Sequence, residues 1–124
     1  MADANTTRKN HVFPLWLSGA SQTLTHAATS IPTGTSMIFF NADLSTDAGN
    51  VALTLDDGTV PGALLKFEVL ASGADAGDFF TVTITSAIDS DHDTILFNAA
   101  AEEALLLWNG EAWIILEHDG ATVS

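Results

Sequence analysis

Asp89-Ser-Asp-His-Asp93 is the stretch whose residue types and spacing come nearest to chemistry. Aspartates at alternate positions offer several hard oxygens, the ligand set that Ca²⁺ selects. An EF-hand loop also needs a glycine at its sharp turn and a bidentate glutamate at its end. The residues that follow Asp93 are Thr-Ile-Leu-Phe, which supply neither. The stretch is therefore expected to be an Asx-rich turn between strands. No metal is assigned to Asp89, Asp91 or Asp93, and Asp56-Asp57-Gly58 is likewise expected to turn the chain.

The histidines His11, His26, His92 and His118 are dispersed and form no His-x-Glu or His-Glu-x-x-His pattern. Only His92 has close acidic neighbours. Serine, histidine and aspartate all occur, but no Gly-x-Ser-x-Gly elbow places a serine on a strained turn. Gly-x-Gly-x-x-Gly and Walker-type loops are absent from the sequence. The chain is expected not to be an enzyme, and no catalytic residue or cofactor is assigned. Trp16, Trp108 and Trp113 offer aromatic platforms for sugar rings, but tryptophan flanked by leucine and isoleucine belongs more often to a core.

The element that must position most of these residues is Leu105-Leu-Leu-Trp108-Asn-Gly110-Glu-Ala-Trp113-Ile-Ile-Leu116. Asn109-Gly110 between two apolar runs is a strong hairpin signal, because both residues tolerate the positive φ of a tight turn. A two-residue loop would set Trp108 opposite Glu111 and Leu106 opposite Trp113. A four-residue loop would set Trp108 directly opposite Trp113. Leu106, Trp108, Trp113 and Ile115 are assigned to the core or to an oligomer contact. Leu105, Leu107, Ile114 and Leu116 make the other face apolar too. A half-solvated antiparallel sheet alternates apolar with polar, so this hairpin is expected to be covered twice.

Upstream, short β-rich runs alternate with turn signals. Gln22–Ala27, Ser36–Asn41, Val51–Leu55, Leu65–Val69, Phe80–Thr85 and Thr94–Phe97 read as strands, with Ser36–Asn41 central because it is apolar throughout. Asn98–Glu103 is the one place for a helical turn. No motif recurs at a fixed period. The fold class expected is all-β: an antiparallel β-sandwich or jelly-roll-like barrel of about eight strands with an extended N-terminal arm. Residues 1–20 form the arm and residues 21–124 the β domain. The arm carries Val12, Phe13, Leu15, Trp16 and Leu17 around Pro14, which demotes the run to an edge strand or extended segment. Five large apolar residues need a surface to bury against, in the parent domain or in a neighbour.

Composition narrows the partners. At 124 residues, with 47% hydrophobic residues and a mean hydropathy of +0.27, the chain can bury a single core. Without cysteine it forms neither disulfides nor thiolate metal sites. Sixteen acidic residues against three basic ones give a net charge of −13. That balance argues against nucleic acid, whose phosphates are neutralised by lysine and arginine, and against anionic membranes. No apolar run approaches the roughly 20 residues of a membrane span. The polar start shows no secretory leader, so synthesis in a cytoplasm is expected.

Two stretches carry a resemblance: Val51-Ala-Leu-Thr-Leu-Asp-Asp-Gly-Thr-Val-Pro-Gly-Ala-Leu-Leu-Lys-Phe-Glu-Val-Leu70 and Leu106-Leu-Trp-Asn-Gly-Glu-Ala-Trp-Ile-Ile115. Together they resemble β-structured modules of tailed-phage virion proteins, found in head decoration proteins and in tail or head fibres. The resemblance covers about residues 50–117 through short motifs. It implies a small β protein, a homotrimer, on the outer surface of a phage head, made in the host cytoplasm and bound to the major capsid protein. Such a protein is expected to bridge shell subunits at local three-fold axes and oppose internal pressure. The bridging residues expected are Val12, Phe13, Leu15, Trp16 and Leu17, with Arg8 and Lys9 beside them. The alternative is a fibre or receptor-binding module with glycan-binding aromatics. A small lectin-like or Ca²⁺-binding domain of a cellular protein is a third class.

Overall fold

Successive side chains point to opposite faces of a sheet; residues 50–55, 65–69 and 80–84 alternate large apolar with small or polar side chains, whereas 37–40 and 105–108 are apolar on both faces. The computed structural model describes residues 20–25, 27–32, 34–41, 49–70 and 79–124. Nine strands appear in them: β1 (Ala20–Leu24), β2 (Thr35–Phe40), β3 (Asn50–Leu55), β4 (Leu64–Val69), β5 (Phe79–Ile84), β6 (Thr94–Phe97), β7 (Glu103–Trp108), β8 (Trp113–Asp119) and β9 (Thr122–Val123). No helix occurs among the described residues. The all-β class expected from the sequence is what the chain adopts.

The strands form two sheets, one of five in the order β1-β2-β4-β7-β8 and one of four in the order β3-β5-β6-β9. Both are open, so there is no closed barrel. They pack face to face through aromatic rings: Phe40 of the first sheet stacks on Phe80 of the second at 4.5 Å, and Phe67 lies tilted against Phe97 at 5.8 Å. Ile38, Leu65, Val69 and Leu106 meet Leu53, Val82, Ile84 and Ile95 in the same layer, all almost fully buried.

The pairing differs from the antiparallel expectation: both sheets are mixed. β1 pairs with β2, β2 with β4 and β3 with β5, each in parallel. The remaining pairs, β4–β7, β5–β6, β6–β9 and β7–β8, are antiparallel. The cause is a coil. From β2 to β5 the chain alternates between the sheets, and each circuit advances it by one strand. Ile38 pairs with Phe67, 29 residues later, and Val51 pairs with Phe80, again 29 residues later. A structural period therefore exists where no sequence motif repeats.

Three boundaries shift. β1 begins at Ala20, inside the expected arm. The polar tail contributes β9, which closes the second sheet against β6. Residues 98–102 make a turn rather than a helical one: Ala101 has φ 67°, and the Glu102 carboxylate accepts hydrogen bonds from the amides of Asn98 (2.6 Å) and Ala99 (3.0 Å). That carboxylate holds the β6–β7 connection from inside, with Glu102 only 8% exposed.

Candidate functional site

The hairpin at residues 105–116 carries Trp108 and Trp113, candidates both for core and for a sugar platform. The loop has four residues, so Trp108 pairs directly with Trp113. Asn109 fixes this length: its side-chain oxygen accepts hydrogen bonds from the amides of Glu111 and Ala112, both at 2.8 Å. Gly110 adopts φ 102°, a conformation that side chains rarely allow. The indoles pack 5.4 Å apart at a 55° tilt and are 4% and 6% exposed. The Trp113 Nε1–H donates to the Asp56 carbonyl at 2.9 Å. Both rings belong to the core, and neither presents a free face to a sugar. Leu106 is likewise buried, and Ile115 packs against the same core.

Sequence reasoning missed the role of Gly58. It was taken as a turn residue, yet the chain crosses the face of Trp108 there. A β-carbon on Gly58 would lie 2.4 Å from the indole.

The Asp89–Asp93 stretch is an Asx turn. Asp89 accepts from the Asp91 amide at 3.0 Å and from His92 Nδ1 at 2.8 Å. The His92 hydrogen bond, followed by the Asp91 amide, holds the Asp89 carboxyl below its ordinary range. Asp93 accepts from the Thr94 hydroxyl. Among the described residues no group of three or more histidine or acidic side chains is arranged to hold a metal ion. His92 and Asp89 do share a shallow cleft with His118, floored by Trp113, Ile115 and Val123. His118 is engaged through Nδ1 with the Ala121 carbonyl at 3.0 Å. His11 and His26 lie outside the described residues, as do Arg8, Lys9, Val12, Phe13, Leu15, Trp16 and Leu17.

The feature that sets the molecule apart is the outer surface of the five-stranded sheet. On the four-stranded sheet, outward positions are mostly polar or small, Asn50, Ala52, Thr54, Thr81, Thr83 and Thr94, with Phe79 and Leu96 as the apolar exceptions. On the five-stranded sheet they include Met37 and Phe39 of β2, Leu64 of β4, Leu105 and Leu107 of β7, and Ile114 of β8, all half-buried, with Lys66, Glu68 and Glu103 among them. The register aligns Leu64, Leu107 and Ile114 in one row. Lys66 pairs with Glu103 at 3.3 Å within this face. A bulge between Leu105 and Leu106 leaves Leu116 as the extra residue of β8, 49% exposed.

A second feature is a pocket of about 400 Å³ at the end of the sandwich where β2 and β4 begin and β3 ends. Pro32, Thr35, Val60, Leu64 and Trp113 give it largely apolar walls, with Asp56 and Asp57 beside them.

No protein-family model and no curated protein matches the chain.

Proposed function

We propose that the chain is a structural virion protein of the capsid-decoration type, a homotrimer that binds the major capsid protein on the outside of a phage head and stabilises the shell. The observation that carries this reading is the apolar outer face of the five-stranded sheet. Met37, Phe39, Leu64, Leu105, Leu107 and Ile114 lie on this face, with Leu64, Leu107 and Ile114 in one row and Lys66, Glu68 and Glu103 between the others, opposite a sheet whose outward positions are mostly polar or small. Large apolar side chains gathered on one sheet face support an interaction site there. A shell-bound protein must resist dissociation without covalent links, which a large apolar interface in a symmetric oligomer provides. The resemblance of residues 51–70 and 106–115 to phage virion modules points the same way. The acidic body keeps an apolar-faced protein soluble before it assembles.

The fibre reading rests on glycan-binding aromatics, and with Trp108 and Trp113 in the core the described residues favour decoration over it.

Leu107→Glu tests the reading. It places a charge in the middle of the outer face without touching the inter-sheet core. The expected result is an unchanged circular dichroism spectrum and loss of the oligomer in sedimentation velocity. A parent protein that sediments as a monomer at micromolar concentration, or a variant that assembles like the parent, contradicts it.

A further inference from the structure

The pocket at the end of the sandwich has an apolar lining, an acidic rim and an unclaimed edge. Val60, on its wall, is 61% exposed, the most exposed large apolar side chain among the described residues. Among the described residues no side-chain hydrogen bond or ion pair involves Asp56 or Asp57, the ion pairs being Lys66–Glu103 and His92–Asp89. At about 400 Å³ the pocket falls within the range of ligand-binding cavities, roughly 300–1,000 Å³. Its occupant should therefore be apolar with positive charge beside it.

One segment of the chain itself has that chemistry and ends at the right place. Val12, Phe13, Leu15, Trp16 and Leu17 are apolar, and Arg8 and Lys9 just before them are two of the three cationic residues in the sequence. The described chain starts at Ala20, which pairs with Thr35, a residue of the pocket wall. Paired strands lie about 4.8 Å apart, so the segment joins the fold at the pocket's edge. Leu17 is three residues from Ala20, within about 11 Å at full extension. Arg8 is twelve residues away, ample length to reach Asp56 and Asp57.

We propose that this pocket receives the chain's own N-terminal segment, with part of Val12–Leu17 seated against Pro32, Val60 and Leu64, and Arg8 and Lys9 facing Asp56 and Asp57. The contact would clamp β1, whose side chains are exposed from Ala20 to Thr23, onto the end of the coil. It does not depend on the virion reading, and either can fail alone.

The test uses the full chain, which has no cysteine of its own. Phe13→Cys, Leu15→Cys and Leu17→Cys are each combined with Val60→Cys and oxidised, since a disulfide forms only where Cα atoms come within about 7 Å. Controls pair the same three with Glu117→Cys on β8, at the opposite edge of the five-stranded sheet. At least one Val60 pair is expected to link within a single chain, faster than any control. In that pair, Asp56→Lys with Asp57→Lys should slow linking about two- to fivefold, and adding Arg8→Glu with Lys9→Glu should restore it. Linking between chains would overturn the proposal in favour of exchange of the segment between copies. No link above the controls would overturn it outright.

Discussion

Gly58 passes over the indole of Trp108 so closely that any β-carbon would overlap the ring. Its backbone needs no unusual φ, so the constraint is space alone. Gly58→Ala is expected to cost about 1–3 kcal/mol, the range for overpacking a filled core, read as a lower urea midpoint. Asp89 offers a second test at this scale. Its folded pKa is depressed by His92 and by the Asp91 amide, so its contribution is present above the ordinary carboxylate pKa. That contribution is lost as pH falls through the folded value. Asp89→Asn should therefore be less stable than the parent near neutrality, with the gap closing as pH drops below the ordinary carboxylate range. Paired unfolding curves across that interval check the sign; a gap that widens on acidification would refute it. The Asx turn itself was legible, because alternate aspartates between apolar runs have a local use. The role of Gly58 was not, because its partner lies 50 residues away in the sequence.

The hairpin was readable from Asn109-Gly110 and its flanks, but its loop length was not. That length depends on the Asn109 side chain capturing two amides, which leaves no separate mark in the sequence. Parallel pairing was hidden for a different reason. Ile38 and Phe67, or Val51 and Phe80, share only their apolar character, so a 29-residue coil looks like any series of strands. The β6–β7 turn shows what replaces a helix where the sequence suggested one. Glu102 is buried and accepts two backbone amides there. Glu102→Ala would strand both donors and is expected to cost about 1–3 kcal/mol, with Glu102→Gln recovering part of it because one oxygen remains. Thermal melts of the two variants should rank in that order.

For the whole molecule, the contrast between its two outer surfaces is what the proposed function rests on. The threonine-rich face of the four-stranded sheet is suited to water, whereas the leucine-rich face of the other is suited to a partner. The sequence carried this asymmetry in the hairpin, where both faces were apolar. Its extent became visible only when the register set Met37 and Phe39 on the same face as Leu64, Leu105, Leu107 and Ile114. A decoration protein is present in numbers that match the shell, whereas a fibre component is present in a few copies. The most direct test of the proposed decoration role is therefore copy number per particle, by quantitative mass spectrometry of purified phage virions. The expected result is a count comparable to that of the major capsid protein. A tail-sized count, or absence from the particle, would contradict the account.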